Sequence, residues 1–191
     1  GAGTVFSHIT ADPVIQECDP VLGEAVDQVG GPQIRNIGTI GGNICNGAVS
    51  ADSAPTVFSY NALLHISDDK DGRIVPVRDF YLGPGRVDLR PGEVLTHVVI
   101  PKAEYEGYHG NYIKYSMRNA MDIATLSCSV VSKVDTVTNI LEDVRITFGV
   151  AAPVPYRCTE TEELLKGQKL EESLYQKLEE SIRCLLYTSP S

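Results

Sequence analysis

Gly31-Pro32-Gln33-Ile34-Arg35-Asn36-Ile37-Gly38-Thr39-Ile40-Gly41-Gly42-Asn43-Ile44-Cys45-Asn46-Gly47-Ala48-Val49-Ser50 has neither a helical period nor a clean strand alternation. It is too apolar for a linker and too rich in glycine for a core strand. Glycine lacks a Cβ and tolerates positive φ. A loop such as Thr39–Asn43 can therefore bring bare backbone against a ligand and let successive N–H groups converge on an anion. The same residues also read as tight turns with no ligand. Local charge bears on the first reading. Residues 1–66 carry six carboxylates (Asp12, Glu17, Asp19, Glu24, Asp27, Asp52) against one base, Arg35. A diphosphate bound here would have to be held mainly by backbone dipoles and hydroxyls. The standard nucleotide fingerprints fail. No G-x-G-x-x-G follows a strand, and Gly42-x4-Gly47 has P-loop spacing but continues Ala48-Val49 instead of Lys and Ser/Thr.

Outward from this stretch the chain alternates in character. Upstream, a short helix is expected around Ser7–Thr10. Asp19-Pro20 starts another, with Val21, Leu22, Ala25, Val26 and Val29 on one face and Gly30-Gly31-Pro32 as the stop. Downstream, Ser50 or Asp52 caps a short helix through about Tyr60. Strands follow over Ala62–Ser67, Arg73–Val77, Val94–Ile100, Asn111–Met117, Leu126–Val134 and Val144–Ala152. Thr159 is expected to cap Glu160–Leu165 with Glu162 closing a capping box, and Leu170–Leu185 forms an amphipathic helix. Turns, charges and a long loop meet near Pro101–Gly107, the best domain boundary.

The 191 residues are 42% hydrophobic and 21% charged, enough to bury a sizeable core. The formal net charge of −9 argues against nucleic acid as the main partner. Five cysteines, an odd count with no C-x-x-C, fit neither a disulfide framework nor a zinc site and suit a reducing cytoplasm. No apolar run is long enough to span a membrane. The four histidines have no partner spacing, and Ser53 and Cys45 have no basic neighbour, so nucleophilic catalysis has no support. Glu160–Glu180 reads as the solvated face of two helices.

Residues 31–55, from Gly31-Pro-Gln-Ile-Arg-Asn-Ile-Gly-Thr-Ile-Gly-Gly-Asn to Ala51-Asp-Ser-Ala-Pro, resemble the FAD-binding subunits of the molybdenum hydroxylases, most of all the bacterial xanthine dehydrogenase type, and also carbon monoxide dehydrogenase. The resemblance continues through Asp79-Phe-Tyr-Leu-Gly-Pro-Gly, Arg90-Pro-Gly-Glu-Val-Leu, Tyr115-Ser-Met-Arg-Asn-Ala-Met-Asp-Ile-Ala and Phe148-Gly-Val-Ala-Ala-Pro-Val-Pro-Tyr-Arg. It covers about residues 1–183, in order. It implies an α+β fold: the second lobe of a two-lobed, PCMH-type FAD-binding domain over 1–104, then a small C-terminal domain of antiparallel sheet plus helices over 105–183. The family's first-lobe glycine loop does not occur here and is expected to precede Gly1. Residues 184–191 do not match the family pattern and are expected to be an artefactual tail.

The resemblance also implies the site. Thr39, Ile40, Gly41, Gly42 and Asn43 would grip the FAD pyrophosphate, with Asn46 near the flavin and diphosphate. Asp52 would accept from ribityl or ribose hydroxyls, or else be a helix cap. Leu95 would pack beside the flavin ring, or else be plain strand core. Lys114 would approach the FAD, or else be an exposed strand lysine. Met117-Arg118 and Met121-Asp122 would lie near the flavin edge. No residue is expected to be catalytic. The implied activity is an oxidoreductase subunit that passes electrons from [2Fe–2S] clusters through FAD to NAD⁺. Molybdopterin and the clusters would sit on partner subunits, with no nucleic acid or membrane involved. The alternatives are the flavin subunit of a nicotinate, aldehyde or CO dehydrogenase, a flavin-free assembly module, and a glycine-rich domain with no ligand.

Overall fold

The computed structural model describes residues 1–119 and 121–188, with side chains described through residue 183. Two short helices open the chain, the second of them capped. The α1 helix (Phe6–Ala11) runs into α2 (Pro13–Cys18), where the Asp12 carboxylate accepts from the amides of Val14 and Ile15. The α3 helix (Pro20–Asp27) starts likewise, with Pro20 at its first position and Asp19 accepting from the Leu22 amide. Its face Val21, Leu22, Ala25, Val26 is buried, as its spacing predicts.

The glycine-rich stretch is helical, not a loop. It forms α4 (Pro32–Arg35) and α5 (Ile40–Cys45). Helices of four and six residues are too short to show a period, so tertiary burial of Ile40 and Ile44 decides their state. Next comes α6 (Ser53–Ser59), buried at every residue. Then follow β1 (Leu63–Ser67), β2 (Gly72–Pro76), α7 (Val77–Phe80), the small hairpin β3 (Tyr81–Gly83) and β4 (Arg86–Val87), β5 (Val94–Val99) and α8 (Lys102–Tyr105). The C-terminal part holds β6 (His109–Tyr115), β7 (Leu126–Asp135), β8 (Ile140–Gly149), β9 (Tyr156–Arg157), α9 (Thr159–Leu165) and α10 (Glu172–Thr188).

The fold is α+β. An antiparallel sheet in the order β2-β1-β5 lies in the first half, and an antiparallel sheet in the order β6-β7-β8-β9 in the second. One core gathers Phe6, Ile44, Val57, Leu64, Ile66 and Phe80, and another gathers Leu141, Ile146, Phe148 and Leu165. A third, small cluster joins the halves: Val21, Ala25 and Tyr60 from the first pack on Tyr112 and Val131 from the second.

The α6 helix lies between the halves. Small and hydroxylated side chains let it approach the sheet closely, and the Ser59 Oγ lies 2.8 Å from Thr147 Oγ1 and 3.3 Å from the Ser129 carbonyl. Arg145 of β8, almost fully buried, donates to the Ser59 carbonyl at 3.2 Å and pairs with Glu104 at 2.8 Å and Asp143 at 3.0 Å. Its guanidinium also sits 4.3 Å from the Tyr108 ring centroid.

The α2 and α7 helices and the β3–β4 hairpin lack a sequence signal long enough to read, and two further expectations are corrected. The α9 helix has no capping box. Thr159 is its first residue, and Cys158 stands at the cap position without a side-chain bond. Glu162 accepts instead from the Ile146 amide at 2.7 Å and from the Arg157 guanidinium, because a buried strand amide and a cation outcompete a solvated cap. The backbone of α10 continues to Thr188, past the expected end at Leu185, so the expected tail is helical over 184–188 and its last three residues lie outside the described residues.

Candidate cofactor site

The site is built on α5. Thr39 is its N-cap and accepts from the Gly42 amide at 3.0 Å, while its carbonyl accepts from the Asn43 amide at 3.0 Å. The Ile40 amide donates to the Thr4 carbonyl at 3.1 Å and the Gly41 amide to the Ala2 carbonyl at 2.8 Å. The expected open nest of amides is therefore corrected: these donors are engaged inside the chain, since a buried amide without a partner is costly.

Gly41 serves close packing. A Cβ there would stand 2.6 Å from the Ala2 Cβ and 2.8 Å from the Ala2 carbonyl oxygen. Gly42 is different. It is exposed, and a Cβ on it would meet only the Thr39 hydroxyl, at 3.0 Å. What faces outward is thus a bare glycine surface flanked by the Thr39 hydroxyl proton and the Asn43 side-chain amide. The Asn43 Oδ1 accepts from Ser53 Oγ at 2.7 Å, which leaves its NH₂ group to donate. Asn46 is exposed at the end of the same helix.

Asp52 precedes α6 but does not cap it. Its Oδ1 accepts from the Tyr112 hydroxyl at 2.8 Å and its Oδ2 from the Lys114 ammonium at 2.9 Å. Lys114 also donates to the Gln28 carbonyl at 3.0 Å. The side chains of Lys114 and Asp52 are only 6% and 8% exposed, so the expectation of an exposed strand lysine is overturned. Burial raises the pKa of Asp52, and the Lys114 and Tyr112 hydrogen bonds oppose that rise. Burial and the adjacent Asp52 push the Tyr112 phenol far above its usual range. Each Asp52 oxygen thus already accepts from one of this chain's own donors.

Lys114 lines a polar cavity of about 500 Å³ with Gln28, Arg35, Tyr115, Arg118 and Asp122 among its walls. Arg118 and Asp122 are held to each other, with the Arg118 amide 2.8 Å from an Asp122 oxygen. Met121 packs onto Gly31, where a Cβ would stand 2.9 Å from its sulfur. The 115–122 loop and the start of the glycine-rich stretch are thus brought together. Leu95 is not among them. It is buried in the first core, so the strand-core reading describes its surroundings. Ile40 lines a separate cleft of about 390 Å³ with Ile9, Leu22, Val98 and Asp19. Sequence reasoning missed Tyr112, Gln28 and Ser53. The Tyr112 and Lys114 alternation on one strand was the available signal, but nothing local says what an inward face meets.

Among the described residues no cluster of three or more His, Cys, Asp or Glu is arranged to hold a metal ion, and no helix is long and apolar enough to cross a membrane.

Comparison with known proteins gives the same reading along the whole chain. Residues 1–103 match the FAD binding domain in molybdopterin dehydrogenase, and residues 111–186 match the CO dehydrogenase flavoprotein C-terminal domain. The xanthine dehydrogenase FAD-binding subunit of Escherichia coli O157:H7 is 38% identical over 95% of this chain and 62% of its own length. The glyceraldehyde dehydrogenase medium chain of Sulfolobus acidocaldarius is 31% identical over 91% of this chain and 60% of its own. Among solved structures, carbon monoxide dehydrogenase from Hydrogenophaga pseudoflava superposes with a TM-score of 0.87 at 28% identity, over 95% of this chain and 62% of that one. The chain spans less than two thirds of the length of these relatives. It belongs to the family of the FAD binding domain in molybdopterin dehydrogenase, here followed by the CO dehydrogenase flavoprotein C-terminal domain.

Proposed function

We propose that this chain forms the flavin-holding part of a xanthine dehydrogenase-type molybdenum hydroxylase. In this reading it takes electrons from [2Fe–2S] clusters on one partner subunit, a molybdopterin subunit oxidises the purine, and NAD⁺ is the acceptor. The division into a partial FAD-binding domain, 1–104, and a C-terminal domain, 105–183, belongs to the same reading, as does a cytoplasmic location, which the free thiols of Cys18, Cys45, Cys128 and Cys158 support.

The observation that carries it is the donor set on α5. The Thr39 hydroxyl, the Asn43 amide and the exposed Gly42 surface can hold a diphosphate without a cation, and Asn46 extends the polar edge. The Ile40 and Gly41 amides stay with the protein and keep that edge rigid. Bound there, FAD would supply two-electron transfer, and the chain's part is to orient it and set its surroundings. Lys114, which lines the polar cavity, would bound the ring end of the site, with Leu95 supporting it only from within the first core. The xanthine type is favoured over the other hydroxylases by identity: 38% to the xanthine dehydrogenase subunit, against 31% to the glyceraldehyde and 29% to the nicotinate dehydrogenase relative.

The test is a visible absorption spectrum of the full-length gene product after incubation with FAD and desalting. A retained flavin band is expected, with Asn43→Ala weakening FAD binding about tenfold, the loss of one hydrogen bond to a charged group. A folded full-length protein with no flavin band refutes the reading. Oxidation of xanthine, nicotinate, aldehyde or CO by the assembled complex then identifies the substrate.

A further inference from the structure

The four histidines show no partner spacing in the sequence, yet the fold sets two of them side by side. His65 of β1 stands directly opposite His97 of β5, and the register shifts at the next pair, where Ile66 stands opposite Leu95. Thr96 is thus the extra residue of a β-bulge. In a regular strand Leu95 and His97 would share a face. The bulge keeps Leu95 in the first core and turns His97 outward, to the face that His65 presents between buried Leu64 and Ile66. His65 is half-buried, His97 is exposed, and their ring centroids lie 6.2 Å apart. One ion bound at about 2.0–2.1 Å by a nitrogen of each ring spans such a gap. The neighbour of His65 on its other side is Ile74, which brings no charge to repel a cation.

Thr96 fixes the chemistry of the pair. Its hydroxyl has a single proton and donates it to the His65 carbonyl at 2.9 Å. The same oxygen, 3.1 Å from His97 Nδ1, is therefore left to accept. Nδ1 carries the proton, and the lone pair of neutral His97 sits on Nε2, free to bind a metal. The Thr96 carbonyl accepts from the Ala2 amide at 2.8 Å, which holds the bulge in place. Among the described residues no hydrogen bond engages the His65 ring.

We propose that His65 and His97 form a two-imidazole site for a divalent transition-metal cation of the Ni²⁺, Cu²⁺ or Zn²⁺ class, with Thr96 as the positioning residue that holds His97 in its metal-binding tautomer. Neutral imidazole suits these ions. No third His, Cys, Asp or Glu joins the pair among the described residues, so water fills the remaining positions and the ion stays exchangeable. The site stands apart from the flavin reading. A pair that only stacks edge to face would not respond to such ions.

The measurement is carbethoxylation of histidines by diethyl pyrocarbonate in the full-length, untagged, EDTA-stripped gene product, mapped by mass spectrometry at rising Ni²⁺. Ni²⁺ is chosen over Cu²⁺, which the free thiols would reduce. Ni²⁺ is expected to protect His65 and His97 together and to leave the exposed His8 and His109 as reactive as before. In His65→Ala, half-protection of His97 should need about a hundredfold more Ni²⁺, and the same for His65 in His97→Ala, because the second ligand no longer acts intramolecularly. Thr96→Val should need about tenfold more, and Thr96→Ser, which keeps the hydroxyl, should restore the parent curve. His65→Thr and His97→Thr, which suit a strand, replace an alanine variant that does not fold.

Equal modification of His65 and His97 with and without Ni²⁺ in the parent overturns the site. So does protection of His97 that persists unchanged in His65→Ala. A Thr96→Val curve identical to the parent, or no rescue by Thr96→Ser, overturns the positioning role.

Discussion

At the scale of single residues, two positions carry most of the local constraint. Gly41 is irreplaceable by contact rather than by backbone angle. Gly41→Ala drives a methyl into the Ala2 backbone, and we expect a loss of about 1–3 kcal/mol, measured by urea denaturation. Gly42→Ala, with only the Thr39 hydroxyl nearby, should cost far less, and equal losses at the two positions would contradict this account. Asp19 is the other. It is buried beside Leu22, its Oδ1 accepts from the Leu22 amide at 3.1 Å, and its Oδ2 has no hydrogen-bond partner among the described residues. Burial pushes its pKa up to about 7, with the Leu22 amide and the nearby Tyr60 hydroxyl offsetting part of the rise. The folded state therefore holds a proton that the unfolded chain releases near pH 4, so this group's contribution to stability falls as pH rises from about 4 to 7 and is level above that. Asp19→Asn, which keeps the cap, should flatten the stability profile across that window. An unchanged slope in denaturation series between pH 4 and 8 would show that Asp19 is ionised in the fold.

At the scale of elements, α6 and β8 form the junction, and Arg145 is its fastener. Its guanidinium reaches α6 through the Ser59 carbonyl, α8 through Glu104 and its own strand through Asp143. Arg145→Met leaves those oxygens buried with fewer donors. We expect a cost of about 3–5 kcal/mol by calorimetry, whereas Arg183→Met, in an exposed i,i+4 pair, should cost under about 0.5 kcal/mol. The elements were legible in the sequence in proportion to their length. Strands β1, β2, β5, β6 and β7 and helix α3 fall within a few residues of the pattern that predicts them, because each spans a full period of burial. The helices α4 and α5 were not legible, since they span four and six residues, and Ile40-Gly-Gly-Asn-Ile-Cys45 becomes helical only when Ile40 and Ile44 find the core. The candidate site shows the same limit. Thr39–Asn43 could be singled out from composition. The use of the Ile40 and Gly41 amides by Thr4 and Ala2, and of Asp52 by β6, depends on segments up to 62 residues apart and has no local signature.

At the scale of the whole molecule, α3 packs on β6 and α6 on β7 and β8, so the first half covers one face of the second sheet. Thermal unfolding should therefore be one cooperative transition, with matching calorimetric and van't Hoff enthalpies. Two resolved transitions would contradict the shared junction. The same junction has a consequence for the chemistry of its amine. Lys114 directs its hydrogens at Asp52 and Gln28 and is nearly sealed, whereas Lys102 lies on the surface. Acylating reagents should modify Lys102 within minutes and react with Lys114, which borders a cavity, only when its amine lets go of Asp52. The Lys114 acylation rate, read by mass spectrometry, is then a clock for the opening of that pair across the seam between the halves. A bound cofactor that bridges α5 and β6 would slow that clock without altering the modification of the surface amines.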